Sequence, residues 1–281
     1  MLKQRILTAI VMLALLIPAV LASDPLAFVV LTAVFMGAGG WEWARLNGLS
    51  NRASLASAAV CTGLCALFWL MGLAGRPLPS LWMVVGAAWV ALALWLLREG
   101  MAAWLPQPLA ARWAGGMVLL CAAWLALVQA RLVGVDFLLS ILLLVWVADV
   151  AAYFAGRALG GRFFQQKLAP SISPGKTWEG VAGAVLGVLC LAFVWRALDG
   201  AGVTPGGSLY SRLGSVSALF LAISVIFLTA MGVVGDLLES LFKRAAGVKD
   251  SGVILPGHGG VLDRIDALLP VLPLALLLCT V

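Results

Sequence analysis

Nine apolar stretches, fifteen to twenty-five residues each, divide the 281-residue chain at about 6–22, 25–44, 53–74, 80–97, 113–129, 134–155, 178–198, 214–238 and 267–281. Roughly 20 apolar residues in a helix cross a bilayer, so nine passes use about 180 residues and leave about 100 for loops. Residues are 63% hydrophobic and 11% charged, whereas soluble domains run near 45–50% apolar and about 25% charged. A water-soluble globule, a disordered chain and a secreted disulfide scaffold are excluded. The expected fold is an all-α, polytopic membrane bundle of about nine helices, with little room for a separate soluble domain. The ninth stretch is short and carries Pro270 and Pro273. The first, with Lys3 and Arg5 ahead of an apolar core and Ala-Val-Leu-Ala-Ser at 19–23, also has the layout of a secretory signal peptide. A retained helix is expected, because the next apolar run follows almost at once.

Lys and Arg gather in cytoplasmic loops. Nine spans starting inside put 14 of the 18 basic residues on the inner face and leave Arg76, Arg131, Arg196 and Arg212 outside. The N-terminus is therefore expected in the cytoplasm. The net +6 reads first as this topology signal, and nucleic acid is not an expected partner. Cys61, Cys65, Cys121, Cys190 and Cys279 all fall inside apolar runs without a CxxC or Cys/His pattern, so they read as small packing residues.

Acidic residues are unevenly spread. Residues 1–135 hold Asp24, Glu42 and Glu99, and residues 136–281 hold the other nine. That contrast divides the chain into N-terminal membrane helices, 1–135, and a C-terminal catalytic region, 136–281, within one membrane unit. A carboxylate at membrane depth costs roughly 2.5–3.5 kcal/mol on insertion scales, so such residues need a cation, a basic partner or water. Asp236 and Glu239 stand three apart, as do Asp263 and Asp266, and each pair shares a helix face. Paired carboxylates suit a hard cation such as Mg²⁺. Simple pairing with Lys243, Arg244, Lys249 and Arg264 is the competing reading. Those basic residues interleave with Asp250, Asp263 and Asp266 around Pro256-Gly257-His258-Gly259-Gly260. Glycines let backbone N–H groups approach an anion. Bases that neutralise phosphate and acids that hold a metal are what phosphoryl or nucleotidyl transfer requires.

Ser240, Lys243, Arg244, Lys249 and Asp250 fill the pattern S-x-x-K-R-x4-K-D. After a short spacer, Pro256, His258, Gly259, Gly260, Asp263, Arg264 and Asp266 fill P-x-H-G-G-x-x-D-R-x-D. Through this segment the chain resembles the phosphatidate cytidylyltransferase family, also called CDP-diacylglycerol synthases. Asp149-Val-Ala-Ala-Tyr-Phe-Ala-Gly-Arg at 149–157 and Ile-Ser-Pro-Gly-Lys-Thr-Trp-Glu-Gly at 172–180 are similar to the family too. The likeness runs over about 149–266, while the earlier spans match only in hydrophobicity.

The resemblance implies an integral protein of a bacterial inner membrane, its site facing the cytoplasm, that converts CTP and phosphatidate into CDP-diacylglycerol and pyrophosphate. On that reading Asp236 and Asp263 ligate Mg²⁺, with Asp149 and Asp266 as additional or supporting ligands. Lys176, Lys243, Arg244, Lys249 and Arg264 hold the phosphates of CTP and lipid. Asp250 and His258 belong to the same catalytic set, and Ser173, Lys176, Thr177, Ser240, Gly259 and Gly260 to the substrate-binding set. His258, the sole histidine, is expected to hydrogen-bond a phosphate or a carboxylate.

Ser173 and Pro174 suit an N-cap and first position for the seventh span. Lys176 and Thr177 would then sit in a first turn that favours an anion. Gly175-Lys176-Thr177 resembles the end of a P-loop, but the required earlier glycine is Pro170 and no strand precedes it, which excludes a Walker A site. Tyr153 and Trp178 read as interface anchors. Gly183 and Gly187 form a GxxxG, which leaves tight packing within the chain or a homodimer seam open. Two competing functions remain. Another CTP-dependent lipid phosphotransferase or kinase shares the chemistry, although the D-G-x2-A-R-x8-G-x3-D-x3-D motif of CDP-alcohol phosphotransferases is absent. An ion-coupled transporter would show midplane broken helices and internal repeats, and no repeat is visible.

Overall fold

A computed structural model describes residues 2–204 and 206–280. Residue 281 of the ninth stretch and the side chains of Lys3 and Arg5, two of the residues counted as cytoplasmic, lie outside that description. Helices follow the apolar runs in order: α1 (Leu2–Leu21), α2 (Leu26–Leu46), α3 (Asn51–Leu70), α4 (Pro79–Glu99), the short α5 (Met101–Trp104), α6 (Leu109–Val133), α7 (Val135–Leu159), α8 (Trp178–Gly200), α9 (Leu209–Val216), α10 (Ala218–Ala245), the single-turn α11 (Leu262–Ile265) and α12 (Leu268–Leu278). Among the described residues there is no strand, only isolated bridges at Ala169–Ser173 and Leu255–Gly259. The all-helical membrane architecture is as the hydropathy pattern predicts.

Seven of these helices (α2, α3, α4, α6, α7, α8 and α10) are long and apolar enough to cross a membrane. The apolar part of α1, Ile6–Leu21, is shorter. Helix α12 has 11 residues, about 16 Å at 1.5 Å per residue, roughly half the hydrocarbon thickness. It packs inside the bundle against α4, α6 and α10, with Val271, Leu272, Leu274 and Ala275 buried. Large apolar side chains such as Val30, Leu94, Val118, Leu186 and Leu219 are exposed. In water this surface would be a liability, but it is what lipid requires of a helical bundle.

Local chemistry sets the helix ends. Ser50, Thr177, Ser208 and Ser217 cap α3, α8, α9 and α10, accepting backbone N–H bonds from Ala53, Gly180, Ser211 and Phe220. The cap of α8 is thus Thr177, not Ser173. The Ser173 N–H instead donates to Ala169 O at 2.8 Å and closes a turn ahead of the helix. The expected eighth span also shifts. Ser217 is extended and restarts the helix, so α9 stands apart and α10 runs on through Ala245, well beyond the expected end near 238.

Gly183 and Gly187 face α7. A Cβ on Gly187 would sit 2.7 Å from Ala151 Cβ, and one on Gly183 would sit 3.0 Å from Ala151 O. The GxxxG therefore seats α8 on α7 within the chain. Three cysteines also meet in space, although the sequence shows no CxxC or Cys/His pattern. Cys61, Cys65 and Cys121 are buried with sulfurs within 4.8 Å of one another, and the Cys61–Cys121 separation is 3.9 Å. Their burial in the apolar interior is as expected.

Candidate active site

Because α10 continues to Ala245, Asp236, Glu239, Ser240 and Lys243 occupy positions i, i+3, i+4 and i+7 of one helix, and so share a face. Asp266, at the end of α11, completes an acid trio. One carboxylate oxygen each from Asp236, Glu239 and Asp266 lies within 4.8 Å of the others. Ser240 Oγ donates to Asp236 Oδ1 at 3.4 Å. Two lysines balance these charges. Lys176, from the loop before α8, pairs with Asp236, and Lys243 pairs with both Glu239 and Asp263.

Asp263 is held on both oxygens. Oδ1 accepts Lys243 Nζ at 2.6 Å, while Oδ2 accepts the Gly260 N–H at 2.7 Å and the N–H and hydroxyl of Ser251 at 3.0 Å. Burial works against its charge, but Lys243 and the Gly260 N–H outweigh it and hold the carboxyl at about 2. Asp266 behaves oppositely: burial, followed by the charge of Asp236, pushes its carboxyl up to about 7.

The glycine turn is fitted to these acids. Gly259 has φ +83°, and a Cβ there would meet Asp263 Oδ2 at 2.6 Å, so glycine answers both backbone and space. Beyond Gly260, the N–H groups of Val261 and Leu262 donate to Glu42 Oε1 and Oε2 at 2.9 and 2.8 Å, and the Ser251 hydroxyl, 3.1 Å from Oε2, shares its one proton between Glu42 and Asp263. Glu42 is fully buried on α2. A second buried carboxylate, Glu179 on α8, accepts N–H bonds from Gly161, Phe163 and Phe164 at 3.0–3.1 Å. Each glutamate pins one loop of the site; Glu42 lies outside every family-like stretch, and Glu179 lies within the 172–180 stretch without an expected role. The one available signal was a carboxylate inside an apolar run, which needs compensation.

Beside the trio opens a cavity of about 470 Å³ between α7, α8 and α10, lined by Asp149, Tyr153, Lys176, Thr177, Thr229 and Asp236. Asp149 lies within electrostatic range of Asp236, Lys176 and Arg264. The structure thus gathers Asp149, Lys176, Thr177, Asp236, Ser240, Lys243, Gly259, Gly260, Asp263 and Asp266. Thr177 is engaged as the α8 cap at 3.1 Å. Others stand aside. Arg244 is exposed and donates to Val248 O at 3.1 Å. Lys249, Asp250 and Arg264 are exposed, without ion pairs among the described residues. The His258 N–H closes the turn to Leu255 O at 2.8 Å, and its Nδ1 is buried without a partner among the described residues. Tyr153 and Trp178 are exposed, and Arg157 donates to the Tyr153 hydroxyl at 2.9 Å.

Chemically, the trio fits a hard divalent cation. Mg²⁺–oxygen bonds of about 2.1 Å put ligand oxygens at most about 4.2 Å apart, a span comparable to the separation within which the trio's oxygens lie. Oxygen donors suit that ion.

The sequence profile of the cytidylyltransferase family matches residues 3–281. A phosphatidate cytidylyltransferase of Pseudomonas aeruginosa is 37% identical over 284 residues, spanning 97% of this chain and 95% of its own. One from Haemophilus influenzae is 34% identical over 298 residues, spanning 97% and 96%. The chain belongs to the cytidylyltransferase family, as an enzyme of the phosphatidate cytidylyltransferase type.

Proposed function

We propose that the protein transfers a cytidylyl group from CTP to phosphatidate at the cytoplasmic face of a bacterial inner membrane, giving CDP-diacylglycerol and pyrophosphate for phospholipid synthesis. One observation carries the reading: a carboxylate trio and two lysines converge at one end of the bundle, beside an open cavity. A site at that end serves a soluble nucleotide and a lipid headgroup at once. Thr8, near the start of α1, donates to Pro256 O at 2.9 Å. The N-terminus and the glycine turn therefore share a face, and the basic residues of the loops favour that face being cytoplasmic.

The lipid phosphate is already anionic near neutral pH, so one of its oxygens attacks the α-phosphorus of CTP without a general base. The bond from that phosphorus to the α–β bridging oxygen breaks, and pyrophosphate leaves with the electron pair. The barrier lies in bringing two polyanions together and in charge on the leaving group. Lys176 lies on the cavity wall, where it binds CTP phosphate, and Lys243 holds Glu239 and Asp263 in place behind it. Asp236, Glu239 and Asp266 would hold Mg²⁺, which when bound neutralises phosphate charge and orients the two substrates. Asp149 supports that cluster from α7, and Asp263 reaches it through Lys243. Ser251, Gly259 and Gly260 keep the turn closed over the acids.

The test is pyrophosphate release by purified protein given CTP, Mg²⁺ and phosphatidate, with an EDTA arm. Release that requires the lipid and stops with EDTA is expected. Release without phosphatidate, or silence in all arms, overturns the assignment.

A further inference from the structure

A second cavity, of about 500 Å³, lies against α10 and is walled by α2, α4, α5 and α6. Its α10 residues are Gly235, Leu238, Glu239 and Phe242, whereas the first cavity takes Thr229, Gly232, Val233 and Asp236. The two sets follow 3–4 spacing on different faces of one helix. Yet both cavities touch the acid trio, one through Asp236 and the other through Glu239.

The second cavity is aromatic. Trp43, Trp104 and Phe242 stack at its wall, with ring centroids 4.5–5.9 Å apart. Two donors in that wall lack acceptors. Trp89 is only 4% exposed and its indole N–H has no partner among the described residues. Arg112 lies over the Trp104 ring at 5.8 Å, its Nε is buried without an acceptor, and no acid pairs with it among the described residues. A buried donor without a partner costs about 1–3 kcal/mol, so a ligand that brings acceptor oxygens is favoured here. Water serves a polar chamber, but not one whose walls are predominantly apolar, half of them tryptophan and leucine. What fits is long and apolar, with ester-type acceptor oxygens and a negative charge for Arg112: an anionic acyl-ester lipid.

We propose that this second cavity seats the acyl-glycerol part of phosphatidate, so that α10 separates a lipid side from a nucleotide side and the trio at its edge serves both. The assignment rests on the reaction proposed above. It gives Arg112 a role beyond topology, as a cation that draws the anionic headgroup to the mouth of the cavity. It makes Trp89 a specificity residue for the ester region.

The test uses the full chain in phosphatidylcholine nanodiscs with a phosphatidate carrying a diazirine on its acyl chain. After irradiation, peptides are mapped by mass spectrometry. Label is expected on α4, α6 and the Gly235–Phe242 face of α10. A tenfold excess of phosphatidate should displace it, while further phosphatidylcholine should not. A Cβ at Gly115, on the cavity wall, meets nothing within 4 Å, so Gly115→Leu adds bulk to that wall from an unobstructed starting point. It should cut labelling at least fivefold and raise the KM for phosphatidate similarly, leaving the KM for CTP unchanged. Trp89→Phe should raise the lipid KM less. Labelling that phosphatidylcholine displaces equally, that falls only on α7 and α8, or that survives Gly115→Leu overturns the proposal. Specific labelling in a protein that releases no pyrophosphate keeps the lipid site and removes the reaction.

Discussion

The Glu42 carboxylate accepts the Leu262 backbone N–H at 2.8 Å across 220 residues of chain, tying the second helix to the turn that carries the site. The same carboxylate takes the Val261 N–H and the Ser251 hydroxyl, so one buried acid closes the glycine turn from below. Charge-assisted hydrogen bonds contribute about 1.5–3 kcal/mol each. Glu42→Gln keeps one carbonyl acceptor but turns an amide NH₂ toward a backbone N–H. Losing one such bond raises the open-turn population about ten- to a hundredfold. Hydrogen exchange at residues 251–262 should speed up by that factor, and transfer of label from CTP to lipid should fall with it. Membrane insertion should be kept. Unchanged exchange would show that the turn holds itself.

Asp236 and Asp266 have a different task. Asp236→Asn and Asp266→Asn each keep the shape and remove a charge that a hard cation needs. Both should lower kcat more than a hundredfold and raise the Mg²⁺ concentration needed for half-maximal rate, while helical circular dichroism stays as in the parent. Asp263, expected alongside Asp236 as a primary metal ligand, is held by Lys243, Ser251 and Gly260. Its asparagine variant should lose activity together with thermal stability. A shifted Mg²⁺ requirement without lost stability would make Asp263 a direct ligand.

The two lysines separate the same way. Lys243 is 13% exposed, between Glu239 and Asp263 at 7% and 6%. Removing one member of a buried pair costs roughly 3–5 kcal/mol, because the remaining charge is stranded. Lys243→Gln should therefore lower the thermal midpoint markedly in detergent. Lys176 and Asp236 are 25% and 33% exposed, and water replaces much of what that pair supplies. Lys176→Gln should leave the midpoint near the parent value and raise the KM for CTP tenfold or more.

What the sequence could disclose follows from how local each interaction is. Ser240 through Asp266 packs its acids, bases and glycines into 27 consecutive residues, so their common chemistry is visible as a pattern. Glu42 and Glu179 are not visible that way. Their partners are backbone N–H groups, which every residue but proline carries, and for Glu42 they lie more than two hundred positions away. The end of α10 was hidden for a related reason. Asp236 and Glu239 share a helix face already in the sequence, but Ser240, Lys243 and Arg244 look like loop chemistry in a hydropathy trace, although Lys243 continues the same helical spacing. Ser217 was the converse: a small polar residue in an apolar run that ends one helix and caps the next. The cysteines show no linear signature because Cys121 reaches Cys61 and Cys65 only through the packing of α6 on α3.

Gly183 and Gly187 offer the last test, because two uses of a GxxxG were open and the fold commits it to one. The space beside Gly187 is filled by Ala151 Cβ at 2.7 Å and Val147 Cγ1 at 3.6 Å, both on α7. A leucine there must push α8 off α7, and overpacking of that kind costs typically 1–3 kcal/mol. The wall of the first cavity moves with it, since Asp149 and Tyr153 on α7 face Lys176 and Thr177 ahead of α8. Gly187→Leu should therefore lower the thermal midpoint and raise the KM for CTP, while the mass of the detergent-solubilised particle by light scattering stays as in the parent. If the particle instead halves in protein mass with its midpoint unchanged, the glycines serve a contact between two copies rather than the seam between α7 and α8.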